Sequence, residues 1–247
     1  MRKPSVVSPS DEVTLIGQVF DTPVVVKGAT WLPFAEIVVW IFTTWIAGKR
    51  RPERSFYQQM GVGLLAMPVI LGSEWCHNFA HAAAACFIGK PMNAMRITWG
   101  TPLVVYFDIN DPTVTPRQHI FRALGGPLFN ALILPIAILL RSRTHPDSIT
   151  RELADTAVGM NILLCTVSLL PMPGIDGGSI LKWTLVENGA TPEEADETVR
   201  KVNGVLGVVL GIAIGIAFKK KRGLVGALVA LFAALALAIG SGLLCEQ

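Results

Sequence analysis

The sequence predicts an α-helical polytopic membrane protein with about six transmembrane helices and a small membrane-associated β-hairpin or sheet. Three properties support this fold class: the chain of 247 residues is 51% hydrophobic, only 16% of its residues are charged, and its mean hydropathy is +0.52. An ordinary soluble domain of this length carries more charge. Several windows also reach or approach the roughly 20 apolar residues that a membrane-spanning helix needs.

Apolar segments define the candidate spans in chain order, and three of them are followed by clusters of basic residues. The candidate spans are residues 29–47, 57–88, 120–140, 153–170, 205–218 and 224–244. The basic clusters are residues 49–54, 141–143 and 219–222. Residues 1–28 form a polar N-terminal segment without the apolar core of a signal peptide. Residues 29–247 are therefore expected to form a single membrane-embedded domain.

Two stretches between the spans have a different character. Residues 95–100 and 103–107 are β-prone and flank a Gly-Thr-Pro sequence, which predicts a hairpin or small sheet next to the membrane. Thr191, followed by Pro192 and two glutamates, predicts the start of a short polar helix that continues to about Val202 outside the bilayer. The net charge of +3 is spread over loops beside the spans. This distribution suits contact with membrane lipid and leaves no basic face for nucleic acid.

Two histidines lie four residues apart in the second candidate span, within the stretch SEWCHNFAH at residues 73–81. On a helix such residues share a face, so His77 and His81 can direct both imidazoles at one point and hold a metal ion. Ionisable groups within a span usually mark a function or a buried partner. The alternative is a pair of neutral histidines hydrogen-bonded to neighbouring helices, and the pair alone does not decide between the two.

A carboxylate that could complete a metal site stands in LLPMPGIDGG at residues 169–178, where two prolines break an apolar span. Irregular backbone at membrane depth is tolerated where it is buried in protein or lines a cavity. Two histidines and Asp176 would leave a tetrahedral zinc ion with one open position, as in catalytic sites. Without the histidines, Asp176 would be interpreted as a turn or helix-cap residue ahead of Gly177.

Three segments together resemble the site-2 protease family of intramembrane zinc metalloproteases. HNFAH at residues 77–81 resembles the HExxH helix of that family, and LLPMPGIDGG resembles its NLLPxPxxDG segment. GGPLFN at residues 125–130 is similar to the family's GPxxN segment. The segments occur in the family's order, with a β-prone region after the first, so the family-like core is expected at residues 57–182.

The resemblance implies a role for each matching residue. It implies that His77, His81 and Asp176 hold one zinc ion per chain and that Asn130 helps to hold the substrate or the oxyanion. An amide that packs helices together is the alternative for Asn130. Pro127 and the glycines around it are expected to bend this helix in either case.

Two positions depart from the family pattern. Asn78 stands where the family has its catalytic glutamate, and Ser168 stands where the second segment usually has asparagine. A zinc hydrolase needs a carboxylate to take a proton from water and pass it to the leaving nitrogen. Asparagine can orient a water molecule and cannot make this transfer, so the sequence leaves catalytic activity open.

Glu74 lies three residues before His77 and four before Asn78, and therefore one turn away on the same helix face. The leading interpretation is a carboxylate that orients His77, and the next is a displaced general base. Glu74 could also be an additional zinc ligand, or an interfacial carboxylate remote from any metal.

The resemblance implies a zinc metalloendopeptidase whose substrates are transmembrane segments of membrane proteins. Glu74 would then shuttle the proton, and residues 95–107 would accept an unwound substrate strand at their edge through backbone hydrogen bonds. The simpler interpretation of these residues is a surface hairpin that connects two spans. At the level of function, the main alternative is an inactive pseudoprotease that binds transmembrane helices. A metal or ion transport protein is a third candidate, against which the ordered segments argue.

The expected location is a prokaryotic cell membrane, in which the chain is a multi-pass protein. The family usually places its metal site nearer the cytosol, which with six spans would turn all three basic clusters outward. The positive-inside rule predicts the opposite orientation. The sequence therefore leaves the orientation open.

Overall fold

The structure, a computed structural model, describes residues 8–219 and 223–242. In this part of the chain the elements are β1 (Thr14–Val19), β2 (Thr22–Val26), α1 (Phe34–Arg50), α2 (Phe56–Phe87), β3 (Ala94–Thr98), β4 (Thr101–Val105), α3 (Pro116–Ser142), α4 (Ile149–Val167), α5 (Asp176–Glu187), α6 (Pro192–Lys219) and α7 (Gly223–Gly240). A short 3₁₀ helix, Gly28–Trp31, precedes α1. The predicted mostly helical fold with a small sheet is confirmed.

The number of membrane spans is not confirmed. Each candidate span coincides with a helix or part of one, although residues 243 and 244 lie outside the described residues. Among the described residues, however, only Gly28–Arg50 and Pro116–Ser142 are both long and apolar enough to cross a membrane. α2 is 32 residues long and does not qualify, because polar residues between Ser73 and His81 interrupt its apolar sequence.

The described chain divides into two compact units. The first unit contains the described residues up to Asp111 together with Leu124–Ser168, and thus the sheet, α1, α2, most of α3, and α4. The second unit contains Pro112–Ala123 together with the described residues from Leu169 onward, and thus α5, α6 and α7.

The first unit contains a four-stranded sheet in the order β1-β2-β3-β4. β1 with β2 and β3 with β4 are antiparallel hairpins, and β2 pairs with β3 in parallel. Each hairpin turns through two residues with positive φ, Phe20-Asp21 and Trp99-Gly100, as in the type I′ turns that match the strand twist. The predicted hairpin around residues 95–107 is therefore confirmed. The two strands in the N-terminal segment were not predicted.

The sheet is attached to α2 on both sides of His77 along the helix. Ala82 and Ala85 of α2 are fully buried against Met92 and Met95. Two turns before Ala82, the Trp75 indole N–H donates to the carbonyl of Gly100 in the β3–β4 turn, at 3.2 Å. Small alanines allow the sheet to approach the helix closely. The part of α2 that carries the histidines is thus held by tertiary contacts along its length.

Charged residues collect at the N-terminal end of α4. Glu152 accepts hydrogen bonds from Arg54 at 2.6 Å and from Arg51 at 3.1 Å, and Arg51 also pairs with Asp147. The hydrogen bond from Arg54 is the main reason that the pKa of Glu152 lies below its ordinary value; burial opposes it, and Arg51 adds a smaller lowering effect. Arg141 pairs with Asp155 in the same way. Two of the basic clusters are therefore partly neutralised, whereas residues 220–222 of the third lie outside the described residues.

The second unit is built around α6 and α7, whose backbones meet at glycines. A Cβ added at Gly240 would lie 2.5 Å from the Cα of Gly204. Thr191 and Glu194 form the reciprocal hydrogen bonds of a capping box, which confirms the predicted helix start. The prediction that this helix ends near Val202 is wrong. No proline follows within α6, so the helix continues without a break into the fifth candidate span and ends at Lys219.

Candidate metal centre

α2 places the two histidines of the HNFAH segment on one face, as their spacing predicts. Both side chains are buried, with 7% of His77 and 5% of His81 exposed. The two Nε2 atoms lie 3.1 Å apart, and the ring planes are inclined at 79°. The imidazoles therefore direct the same nitrogen at a common point within the first unit.

Gly126 of α3 forms the wall opposite this pair. A Cβ added at Gly126 would lie 2.4 Å from both His77 Cε1 and His81 Nε2, and the Gly126 backbone N–H donates to His81 Nδ1 at 3.4 Å. The glycines beside Pro127 were expected to bend the helix, and this close approach was not predicted. A Gly-Gly pair inside an apolar helix was the available signal, since interior glycine often marks such a contact.

Asn130, one turn further along α3, is fully buried and contacts His77 directly. Its Oδ1 lies 2.6 Å from His77 Nδ1, and its Nδ2 donates to the Oδ1 of Asn161 on α4 at 2.8 Å. Asn161 in turn donates to the carbonyl of Ala157. An amide thus contacts His77 Nδ1 and can orient the ring. The orienting role that the sequence assigns first to Glu74 stays a prediction. Asn161 was missed because it lies outside the three recognised segments.

Glu74 and Asn78 are both half-buried on α2. The Asn78 amide donates to the carbonyl of Glu74, four residues earlier in the same helix, at 3.0 Å. Asn78 is therefore engaged with its own helix backbone in this structure. The proton-transfer role considered for Glu74 stays a prediction.

Asp176, in the second unit, is the first residue of α5, with Ile175 as the N-cap. The preceding loop is held by short-range backbone bonds, including Ile175 N–H to the Met172 carbonyl at 3.1 Å. The two glycines after Asp176 pack against this loop: a Cβ would lie 2.3 Å from the Leu169 oxygen at Gly177 and 2.1 Å from the Met172 oxygen at Gly178. The Asp-Gly-Gly sequence therefore lets a carboxylate begin a helix directly against a proline-rich loop.

The histidine pair fits a divalent metal ion such as zinc. Imidazole nitrogen is a preferred zinc ligand, and a ligating histidine commonly donates its other N–H to an oxygen acceptor, as His77 can to Asn130. The backbone at Gly126 leaves the space next to both rings without a side chain. The carboxylate that the sequence assigns to this site belongs to Asp176.

No family model matches the chain. The chain is 30% identical over 86 residues to a protein of Methanocaldococcus jannaschii that is named as a zinc metalloprotease, a match of 35% of this chain and 44% of that protein. The chain thus aligns with less than half the length of that relative. A solved structure of the site-2 protease from the same organism matches with a TM-score of 0.54 over 96% of this chain and 99% of that chain, at 12% identity. The chain has the site-2 protease fold.

The resemblance of the sequence to the site-2 protease family is therefore confirmed. The fold match extends over nearly the whole chain, whereas the recognised sequence segments lie between residues 77 and 182. Both relatives are proteases by name.

Proposed function

We propose that this chain is an intramembrane zinc metalloprotease that cleaves transmembrane segments of other membrane proteins. The observation that carries the proposal is the buried pair His77 and His81, whose Nε2 atoms converge to 3.1 Å in a chain with the site-2 protease fold. Two apolar helices long enough to cross a membrane fit an integral membrane protein. A multi-pass arrangement in a prokaryotic cell membrane is part of the proposal.

His77, His81 and Asp176 would hold the zinc ion, since each offers one ligand atom. Two imidazoles and one carboxylate form a ligand set of catalytic zinc sites, in which a fourth position stays open. When bound, zinc supplies a Lewis acid that polarises a carbonyl and lowers the pKa of water. Asn130 would hold His77 in place rather than contact the substrate, because its Oδ1 already faces His77 Nδ1.

Glu74 is the proposed general base. It would accept a proton from the attacking water at its carboxylate and deliver that proton to the leaving nitrogen of the scissile peptide. Asn78 cannot take this role, because an amide has no proton-accepting carboxylate. It would hold water or the substrate once its hydrogen bond to the Glu74 carbonyl opens.

The substrate would bind as an extended strand at the β4 edge of the sheet. β4 pairs on one side with β3 and is the last strand in the sheet order. An edge strand offers unpaired backbone groups to a peptide that has lost its helical hydrogen bonds. Trp75 ties the β3–β4 turn to α2, so a strand added there would lie beside the helix that carries the histidines.

A pseudoprotease that binds transmembrane helices is the second candidate, and the residue that favours it is Asn78. Without a working base, the site would keep its metal and its substrate-binding surface and would lose hydrolysis. The two candidates differ in a single measurable property, which is metal-dependent cleavage of a membrane-embedded substrate.

The first experiment is the metal content of the purified protein in detergent, measured by elemental mass spectrometry after removal of loosely bound ions. About one zinc ion per chain is expected, with loss in His77→Ala and in Asp176→Ala. His145→Ala is the matched control and should keep its zinc, because His145 is an exposed histidine outside the site. A parent protein without stoichiometric metal would refute the metalloprotease proposal.

The second experiment is a cleavage assay on a reconstituted substrate. Glu74→Gln should abolish cleavage if Glu74 is the base, while Asn78→Glu should increase it by placing a carboxylate next to the histidines. Cleavage that Glu74→Gln leaves unchanged would refute the assignment of the base. No cleavage in the parent but cleavage in Asn78→Glu would support the pseudoprotease.

A further inference from the structure

We infer that Asn161 is a positioning residue that acts through Asn130 to set the protonated nitrogen of His77. The consequence for metal binding rests on the proposed function, while the hydrogen bonds themselves are independent of any metal. They form a relay that runs from the Ala157 carbonyl through Asn161 and Asn130 to His77, with distances of 2.8, 2.8 and 2.6 Å.

The direction of this relay is determined at its α4 end. A backbone carbonyl can only accept a hydrogen bond, so Asn161 must direct its NH₂ group at Ala157. The Asn161 carbonyl oxygen then points at Asn130, where it can only accept. Asn130 must therefore present its own NH₂ group to Asn161. Turning either amide over would bring two acceptors or two donors together.

The same logic carries through to the imidazole. With its NH₂ group used by Asn161, Asn130 presents its oxygen to His77 Nδ1. The oxygen accepts, so His77 must carry a proton on Nδ1. A neutral imidazole has only one N–H, so the Nε2 of His77 keeps its lone pair. That nitrogen is the one that faces His81 Nε2 at 3.1 Å.

Burial makes this arrangement costly to break. Asn130 is 0% exposed, Asn161 3% and His77 7%, so water cannot easily replace a lost partner. A buried polar group without a hydrogen bond is strongly unfavourable. Reversal of the His77 tautomer would leave the Asn130 oxygen facing a nitrogen lone pair, and the relay therefore favours the tautomer that can bind a metal.

Asn161→Leu removes the amide that fixes the direction of the hydrogen bonds in the relay, while keeping a side chain of similar size. Asn130 could then turn over and donate to His77 Nδ1, which would move the proton to Nε2, the nitrogen proposed to bind zinc. Loss of such an indirect contact typically weakens metal binding by about 10–100-fold. Asn161→Asp should behave differently, because its carboxyl group presents an acceptor to Asn130 whether or not it is protonated.

The test is ¹⁵N NMR of histidine-labelled, metal-free protein at a pH well above the ordinary histidine pKa, together with a zinc competition titration. The chain has only 4 histidines, and the spectrum of His77→Gln identifies the His77 signals. We expect Nδ1 protonation of His77 in the parent and in Asn161→Asp. In Asn161→Leu we expect a mixture of the two tautomers and at least about 10-fold weaker zinc binding. Thr166→Val, which removes a side-chain bond to the Ile162 carbonyl in the same helix, should match the parent.

A parent protein with the His77 proton on Nε2 would overturn the inference without any variant, so it stays falsifiable if Asn161→Leu does not fold. Parent-like tautomer and zinc affinity in a folded Asn161→Leu protein would also overturn it. A parent that binds no zinc would instead refute the proposed function. The NMR result alone would then decide whether the relay sets the protonated nitrogen of His77.

Discussion

Gly126→Ala is expected to abolish tight metal binding, because the added methyl group would occupy the space beside the two imidazoles. The new Cβ would lie 2.4 Å from His77 Cε1 and from His81 Nε2, whereas ordinary contacts begin at 3.4 Å. The rings must therefore retreat by about 1 Å, or α3 must move away from α2 by that amount. Metal–ligand distances tolerate deviations of about 0.2 Å. A displacement several times larger should weaken zinc binding by at least about 100-fold.

The assay is a competition titration of zinc with a chromophoric chelator, performed on detergent-purified protein. Gly72→Ala is the matched control, since Gly72 lies on α2 and nothing lies within 4 Å of an added Cβ. A melting temperature measured for each variant separates loss of binding from loss of the fold. A folded Gly126→Ala protein that binds zinc within threefold of the parent would refute the steric argument.

Substitutions at two further positions, Glu152 and Gly177, can be tested in a similar way. Glu152→Gln should lower the free energy of unfolding by roughly 1–3 kcal/mol, and with it the melting temperature. The reason is that it removes the carboxylate that Arg54 contacts, whose side chain is only 9% exposed. An unchanged melting temperature would contradict this. Because the pKa of Glu152 is lowered mainly by hydrogen bonds from Arg54, the stabilisation is present above the ordinary pKa of 4.5 and lost as the pH falls through the lowered pKa. The acid decline of the melting temperature should therefore be weaker in Glu152→Gln than in the parent. Gly177→Ala should displace the start of α5, since its Cβ would lie 2.3 Å from the Leu169 oxygen. Because Asp176 is the first residue of α5, the zinc content measured by elemental analysis should fall. Full zinc content would argue against Asp176 as a ligand held by this loop.

Much of the helical framework follows from local sequence. The histidine pair lies on one helix face because residues four apart always do so, and Thr191 begins a helix because its hydroxyl and Glu194 satisfy free backbone groups. The β3–β4 hairpin was predictable from two β-prone runs around a glycine. The same reasoning could have found β1 and β2, whose β-prone residues flank Phe20-Asp21. It could not have found the parallel pairing of β2 with β3, because a long stretch of unrelated structure, including α1 and α2, separates those strands in the chain.

The contacts around the histidines depend on distances that no local pattern contains. His77 meets Asn130 across 53 residues, and Asn130 meets Asn161 across another 31. The local sequence around an asparagine in an apolar helix does not show whether its amide packs against another helix or orients an imidazole. From sequence alone, Gly126 is interpreted as a helix-bending residue. Only the packing of α3 shows that it lies close to both imidazole rings. The sequence thus specifies which chemical groups are present and which helix face carries them, whereas the hydrogen-bond partners and the free space beside them arise only when separate helices pack together.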